Sequence, residues 1–133
     1  MKRSLSACLV ALACTLGVAS ADDAVAVLTL AHDRGCLACH AIDGRPSGAP
    51  AVLPVGPAWR DLARRYKSVK GAQQTLTAKI MTGSSPEPDR STAYERHWGG
   101  QVRGEFMPSH RTTIPEVEAA RLVAWILALD IDR

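Results

Sequence analysis

The chain is poor in aromatic residues and has no segment in which polar and apolar residues alternate. Phe, Trp and Tyr together make up 5% of the 133 residues, although 47% of all residues are hydrophobic. The missing alternation excludes a half-buried β-sheet, and no segment repeats along the chain. A domain this small buries a modest core at best. We therefore predict an all-α domain whose supply of large core side chains is thin.

Long hydrophobic runs are also missing, apart from one near the N-terminus that is too short to span a bilayer, which takes about 20 residues. Lys2 and Arg3 precede this run, and Ala19-Ser20-Ala21 follows it as an A-x-A cleavage site. This order is typical of a secretory signal peptide. We predict that residues 1–21 are removed, that residues 22–133 form one domain, and that no membrane-inserted segment remains.

Cysteine is scarce once the signal peptide is gone. Of the four cysteines, Cys8 and Cys14 lie in the signal, so the mature chain keeps Cys36 and Cys39. The residues before Cys8 and Cys14 match a lipoprotein cleavage box only in part, because Cys8 has no apolar region before it and Cys14 lacks the usual leucine. A lipid anchor at one of them is the alternative to cleavage after Ala21.

The mature domain has no large excess of either charge. The chain carries 16 Lys and Arg against 13 Asp and Glu, and two of the basic residues, Lys2 and Arg3, belong to the signal peptide. Nucleic-acid binding depends on a basic surface that neutralises phosphates. The sequence therefore gives no support to nucleic acid as a partner.

What the mature chain does contain is the motif Cys36-Leu37-Ala38-Cys39-His40. The pattern C-x-x-C-H is typical of covalent haem c attachment. Two thiols on one helical turn can add to the two vinyl groups of one haem, and the adjacent histidine then lies under the iron. One haem would also supply the large apolar body that the sequence lacks. Because this attachment occurs outside the bacterial inner membrane, the motif predicts export to the periplasm.

Three other uses of two closely spaced cysteines are weaker. A thiol–disulfide redox motif normally follows a β-strand in a βαβ pattern, and no strand is predicted here. A zinc site needs about four ligands, and residues 22–133 contain no second cysteine pair. A structural disulfide across two intervening residues would be strained.

The second axial ligand of the iron decides the function, because an open iron binds ligands or catalyses while a closed one transfers only an electron. Met107, in a glycine-rich segment and followed by Pro108, is our predicted ligand opposite His40. Thioether ligation favours Fe(II) and raises the potential. Met81 is predicted to be a core residue of a helix. The alternative ligands are His32, His97 and His110, of which the last is close enough to Met107 to replace it.

Apolar spacing and end signals predict four helices. The first begins at a cap formed by Asp22 or Asp23 and ends near Gly35, and the second and third cover residues 57–67 and 72–82. A capping box, Thr113-Ile114-Pro115-Glu116, precedes the last helix, which covers residues 117–129. The residues expected to face inward are Val25, Leu28, Leu30, Ala31, Trp59, Leu62, Ala63, Tyr66, Leu76, Ile80, Leu122, Trp125, Ile126 and Leu129.

Taken together, these features resemble the small bacterial class I cytochromes c. The resemblance covers nearly all of the mature chain and rests on blocks in a fixed order: residues 35–43, 55–66, 80–84, 98–100, 107–108 and 122–127. It implies four to five helices with long loops wrapped around one covalently bound haem. It also implies a periplasmic one-electron carrier rather than an enzyme, with periplasmic redox proteins as electron donor and acceptor.

The resemblance implies roles for two residues besides Cys36, Cys39, His40 and Met107. The carbonyl of Pro57 would accept a hydrogen bond from the imidazole of His40, and the indole N–H of Trp98 would reach a haem propionate. The chain departs from the family in two ways. The segments 43–56 and 84–97 are longer than in compact members. There is no asparagine to bond the methionine sulfur, so Ser109 or His110 would have to substitute.

The partners stay open at this level. Five basic residues give the second predicted helix a basic face, which is either a solvated surface or a docking patch for an acidic partner; they are Arg60, Arg64, Arg65, Lys67 and Lys70. Three functions are compatible with the sequence. These are a free electron shuttle, a cytochrome subunit bound to a catalytic dehydrogenase or oxidase, and an open-site haem protein that binds ligands or catalyses.

Overall fold

The computed structural model describes residues 21–44, 52–84, 98, 100–103 and 106–132. Within these ranges the chain forms four α-helices and no strand: α1 (Ala21–Asp33), α2 (Trp59–Tyr66), α3 (Ala72–Thr82) and α4 (Glu116–Leu127). A short 3-10 turn, Cys36–Ala38, follows α1. The all-α prediction is confirmed, and α3 has the predicted bounds. No helix in the described ranges is long and apolar enough to cross a membrane.

Helix α4 is the centre of the packing, because α1, α2 and α3 all contact it. Its Leu122 and Ile126 lie four positions apart on one face and are buried against Val27 and Ala31 of α1 and Trp59 of α2. Full burial of one large apolar side chain stabilises a fold by about 1.5–3 kcal/mol. This cluster therefore holds three of the four helices together from one stripe of α4.

Two predictions about α1 are wrong. Asp22 and Asp23 lie inside its first turn rather than at the cap, where their charges still favour the positive end of the helix dipole. Val25 is 64% exposed, and Val27 is buried in its place. Residues two positions apart point to opposite sides of a helix. The buried face follows Val27 and Ala31, a spacing of four, and this turns Val25 outward.

The predicted capping box of α4 is also wrong. Pro115 is the N-cap itself, with extended backbone angles and no side-chain cap. Thr113 therefore lies two residues before the cap, and its hydroxyl donates to the carbonyl of His110 at 3.1 Å. The first-turn amides of Glu118 and Ala119 donate to the carbonyl of Pro115, each at 3.0 Å. The helix ends at Leu127, two residues earlier than predicted, and Leu129 still packs on the core.

The two long segments between helices are described only in part. Residues 43–44 and 52–56 contain no helix or strand, in agreement with the prediction for this stretch. Residues 45–51 and 85–97, with the candidate ligand His97, lie outside the described ranges. So do residues 1–20, which make up nearly all of the predicted signal peptide.

Candidate functional site

A cavity of about 260 Å³ lies between α2, α3, α4 and the segment that follows α1. Its lining is mainly apolar and includes Leu62, Leu76, Ile80, Leu122 and Ile126. All six residues that the sequence analysis selected line this same cavity: Cys36, Cys39, His40, Pro57, Trp98 and Met107. Segments that are far apart in the sequence thus meet around one apolar space.

The two cysteines reach the cavity through the tight turn after α1. Gly35 has a φ of 72°, in the left-handed region that glycine adopts without strain. The carbonyl of Cys36 then accepts the amides of Cys39 at 3.2 Å and of His40 at 3.0 Å. Both cysteines are free thiols, Cys36 half-buried and Cys39 exposed, so the alternative of a disulfide between them is not supported.

The Cys36 thiol is not activated by its surroundings. Burial raises the pKa of Cys36, and the neighbouring Cys39 adds to this rise, while a backbone hydrogen bond opposes it. Cys36 is therefore a neutral thiol at neutral pH and not an activated thiolate. Among the described residues no group of three or more His, Cys, Asp or Glu side chains could hold a metal ion, as a zinc site would require.

His40 is held in one tautomer. Its Nδ1 lies 2.8 Å from the carbonyl oxygen of Pro57, so Nδ1 carries the proton and donates it. Burial lowers the pKa of His40, and the charge of His110 acts in the same direction, whereas the Pro57 hydrogen bond opposes them. The imidazole is thus neutral near pH 7 and keeps its lone pair on Nε2. A neutral imidazole oriented by a backbone carbonyl is a typical metal ligand.

We call residues 36–42 and 56–60 the histidine wall of the cavity, because hydrogen bonds join these two segments. The amide of Gly56 donates to the carbonyl of Cys39 at 2.8 Å, and that of Trp59 to the carbonyl of Ala41 at 2.9 Å. A third bond joins the amide of Arg60 to the carbonyl of Ile42 at 3.0 Å.

Gly56 lets the two segments of the histidine wall approach closely. A Cβ atom at this position would lie 2.8 Å from Cε1 and 3.0 Å from Nδ1 of His40, and 3.2 Å from the carbonyl oxygen of Cys39. Distances this short are closer than van der Waals contact. Any side chain here would push the imidazole away, so the glycine is required for the position of the ring.

The histidine wall continues into the core of the protein. The rings of His40 and Trp59 are stacked, with centroids 6.3 Å apart. Trp59 is 2% exposed and meets the edge of Trp125 of α4 at a centroid distance of 5.8 Å. Edge-to-face pairs of this kind add about 0.5–1.5 kcal/mol to the energy of burial. The imidazole is therefore supported by the same side chains that hold α2 on α4.

We call residues 80–84 and 106–110 the methionine wall. Four hydrogen bonds join its two segments. The amide of Met107 donates to Oγ of Ser84 at 2.7 Å, and the amide of Ser84 donates to the carbonyl of Met107 at 2.9 Å. Ser109 Oγ donates to the carbonyl of Met81 at 2.6 Å, and the amide of His110 donates to the carbonyl of Ile80 at 3.0 Å.

Gly83 has the same function in the methionine wall that Gly56 has in the histidine wall. Its φ of 74° lies in the left-handed region. A Cβ at Gly83 would lie 2.6 Å from the carbonyl oxygen of Met107 and 2.7 Å from the amide nitrogen of Ser109. A residue with a side chain would force the segment that carries Met107 away from α3.

Trp98 borders the cavity as a buried side chain, 8% exposed. The guanidinium carbon of Arg65 lies 5.5 Å from the centroid of its ring, which is a cation–π contact. Arg65 therefore covers one face of the indole, whereas the sequence analysis had placed it only on a basic face of α2.

Arg60 is not part of a basic surface, which corrects the prediction for the face of α2. It is 9% exposed, and its Nε donates to Oδ1 of Asp43 at 2.6 Å. Its Nη1 donates to the carbonyl of Asp130, beyond α4. The sequence does not reveal these two contacts of Arg60, because both partners are remote in the chain. An Arg at the second position of a helix with an apolar face is a weak signal by itself.

The other candidate ligands lie in different places. His32 is exposed beside Asp33, 3.2 Å away, and does not line the cavity. Met81 does not line it either, and contributes its carbonyl to the methionine wall. His110 is half-buried and lines the cavity together with Met107. Of the alternatives in the described ranges, only His110 is placed where a group in the cavity could meet it.

The chain is similar in sequence to known proteins along most of its length. A sequence model of the family described as "Cytochrome c" matches residues 24–130. The chain is 36% identical over 101 residues to cytochrome c2 of Rhodocyclus tenuis, which covers 75% of this chain and 88% of that protein. It is 35% identical to cytochrome c-551 of Allochromatium vinosum, with coverage of 82% and 92%.

A solved structure agrees as well. The crystal structure of Nitrosomonas europaea cytochrome c552 superposes with a TM-score of 0.55 at 30% sequence identity, and covers 77% of this chain and 99% of that chain. The family match spans far more than half of the sequence.

Proposed function

Since this chain belongs to the cytochrome c family, as a small all-α class I member, we propose that it is a periplasmic one-electron carrier whose iron is held between His40 and Met107. The membership itself establishes a coarser statement, namely an electron-carrier protein with one covalently bound haem c. The ligands, the attachment residues and the cellular location are parts of the proposal.

One observation carries the proposal: two free thiols, a neutral imidazole and a thioether line a single apolar cavity. Cys36 and Cys39 would form the thioether bonds. His40 would bind the iron through Nε2, because its Nδ1 is already bonded to the carbonyl of Pro57. The haem supplies the metal and the conjugated ring over which one electron is gained and lost. The residues of the chain hold that group, exclude water from it and set its potential.

The nature of the two ligands explains why the protein is proposed to carry electrons without catalysis. With His40 and Met107 both bound to the iron, no position on the metal would remain for a substrate. The neutral sulfur of Met107 stabilises Fe(II) relative to Fe(III), so His/Met ligation raises the potential. Trp98 lines the cavity, and the Arg65 guanidinium lies over its ring. We propose that its indole N–H donates a hydrogen bond to a haem propionate.

The absorption spectrum of protein made with a working haem-maturation system tests the ligands. We expect a pyridine haemochrome of haem c, a low-spin ferric spectrum and a weak far-red band from sulfur ligation. Met107→Ala should abolish the far-red band. Met81→Ala is the matched control and should retain it, since Met81 does not line the cavity. A Met107→Ala protein that keeps the band would contradict the proposed ligand.

Export to the periplasm is proposed from the N-terminal sequence. Fractionation should place the protein in the periplasm, and its mass should match a chain that starts at Asp22 and carries one haem. A chain found in the membrane fraction with an acylated Cys8 or Cys14 would replace this proposal with a lipid anchor.

The mature protein is proposed to act as a free carrier. This is supported by its likeness to two relatives named cytochrome c2 and cytochrome c-551, of which the match covers 88% and 92%. Native size measurement of the untagged protein in a periplasmic extract should give a species of the size of one chain. Co-elution with a dehydrogenase or oxidase would favour a subunit instead.

A further inference from the structure

We infer that His110 is a second iron ligand in the methionine wall, which binds when the sulfur of Met107 leaves the metal. The inference rests on the proposed His40/Met107 ligation and adds a second bound state to it. Four observations on the described residues carry it: the position of His110 at the cavity, the anchoring of its backbone, the contact of its Nδ1 with Thr113, and the hydrogen bond of Ser109 outside the cavity.

His110 belongs to the same cavity as His40 and Met107. Its backbone is fixed independently of the Met107 side chain. The amide of His110 donates to the carbonyl of Ile80 at 3.0 Å, and the carbonyl of His110 accepts the amides of Thr113 at 2.9 Å and Ile114 at 3.0 Å. A movement of the methionine side chain therefore leaves His110 in place beside the cavity.

The ring of His110 is held through its Nδ1 atom. This atom lies 3.3 Å from Oγ1 of Thr113. The hydroxyl of Thr113 also donates to the carbonyl of His110 at 3.1 Å. The ring of His40 is held in the same way, through the contact of its Nδ1 with the carbonyl of Pro57. In both histidines that line the cavity, Nε2 is therefore the ring nitrogen left for a metal.

Ser109, the polar residue between Met107 and His110, forms its hydrogen bond outside the cavity. The hydroxyl of Ser109 donates to the carbonyl of Met81 at 2.6 Å, and Ser109 is exposed and does not line the cavity. His32 is remote from the cavity and exposed. Among the described histidines, only His110 is therefore available on the methionine side.

The two ligands favour different oxidation states. A soft, neutral sulfur stabilises Fe(II), whereas imidazole, the harder donor, is better suited to Fe(III). Oxidation should therefore shift the population toward the His110-bound state, and reduction should shift it back toward Met107. Since a ligand exchange of this kind changes the energies of the two oxidation states, the His110-bound protein should have the lower potential.

Variants of the haem-loaded protein test the inference through the spin state of the ferric form, read by absorption and electron paramagnetic resonance. Met107→Ala should lose the far-red band and remain low-spin with two imidazole ligands, and its potential should fall. Met107→Ala/His110→Ala should be high-spin. The matched control, Met107→Ala/His32→Ala, should remain low-spin.

A high-spin Met107→Ala protein would overturn the inference. So would a Met107→Ala/His110→Ala protein that stays low-spin, because another ligand would then be responsible. Neither outcome touches the proposed function, which fails separately if the unmodified protein has no far-red band or if Met107→Ala leaves that band unchanged.

The unmodified protein and His110→Ala provide a second test that does not depend on Met107→Ala maturing correctly. In guanidinium below the global unfolding transition, the unmodified ferric protein should lose the far-red band and stay low-spin. His110→Ala should become high-spin over the same range, and His32→Ala should behave like the unmodified protein. Identical behaviour of the unmodified protein and His110→Ala would overturn the inference.

Discussion

The two walls of the cavity are built from the same kinds of contact but are attached to the protein differently. The histidine wall is continuous with the core, because His40 stacks on Trp59, which is buried among α1 and α4. In the methionine wall, hydrogen bonds join the end of α3, where Ile80 packs on the core, to a segment in which Phe106, Pro108 and Ser109 are exposed.

This difference indicates that the two proposed ligands are lost at different costs. Opening the histidine wall disrupts the core and should require global unfolding. Releasing Met107 from the methionine wall breaks its two hydrogen bonds with Ser84, while the amide of His110 keeps its bond to the carbonyl of Ile80. Such a release exposes little apolar surface, which is typical of regions that unfold locally. The site therefore combines one permanent ligand with one that can be exchanged. The following variants test this contrast, beginning with the largest expected effect.

Trp59→Ala should have the largest effect, because it removes an aromatic side chain that is shared by the core and the histidine wall. Truncation of a buried Trp or Phe typically costs about 3–5 kcal/mol. We expect the guanidinium midpoint to fall strongly, and loss of the far-red band to coincide with loss of helix. Val69→Ala, at a position 51% exposed, is the control and should change little. Early loss of the band in Trp59→Ala would weaken the contrast.

Gly83→Ala should disturb the methionine wall selectively. The φ of 74° and ψ of −179° at Gly83 lie in a region essentially confined to glycine, which costs an alanine about 1–3 kcal/mol. The overlap with the Met107 carbonyl adds about 1–3 kcal/mol if the segment does not move. We expect the far-red band to disappear on heating well before the helical circular dichroism does. Gly71→Ala is the control for a positive φ without overlap, because Gly71 has a φ of 80° and a ψ of 5° and its Cβ would meet no atom within 4 Å. Equal behaviour of both variants would argue against the close approach at Gly83.

Gly56→Ala should act on the histidine wall at a cost of about 1–3 kcal/mol, because the new Cβ overlaps the imidazole of His40. We expect the far-red absorption band and the helical circular dichroism to be lost together, at a lower temperature than in the unmodified protein. Gly44→Ala is the matched control. Its Cβ would meet only the side chain of Asp61, at 3.3 Å, which can move. A Gly56→Ala protein of unchanged stability would refute the packing argument.

Ser84→Ala should have the smallest effect. It removes the acceptor of the Met107 amide, and a hydrogen bond of this kind contributes about 0.5–1.5 kcal/mol. We expect the transition of the far-red band to move to lower temperature by a few degrees, with little change in the global transition. Ser68→Ala, at an exposed position outside both walls, is the control. If the global unfolding temperature fell more than the temperature at which the far-red band is lost, local opening of the methionine wall would be contradicted.

The sequence was most informative where the controlling interactions are local. The spacing of Cys36, Cys39 and His40 depends on one turn of backbone, and the bounds of α3 follow from a glycine at either end. The apolar stripe of Leu122 and Ile126 predicted the buried face of α4 because it repeats with the period of a helix.

Predictions failed where a distant contact overrides a local signal. Thr113 has the spacing of a capping residue, but Pro115 takes the cap position and the Thr113 hydroxyl bonds His110. The sequence does not distinguish Val25 from Val27, because both are valines of the same helix. Only the packing of α1 against α4 decides which of the two is buried. The close approaches at Gly56 and Gly83 involve segments that meet only in the folded chain, so no local pattern reveals them.

The buried Arg60 has a practical consequence for protein engineering. Its guanidinium joins Asp43, just after the attachment motif, to the backbone oxygen of Asp130. An affinity tag fused after residue 133 leaves these two contacts of Arg60 intact. Trimming the chain before Asp130 would instead remove the acceptor of the Arg60 Nη1 group, and a buried donor without an acceptor is costly. The last residues are thus part of the support of the haem-attachment segment and are a poor place to shorten the protein.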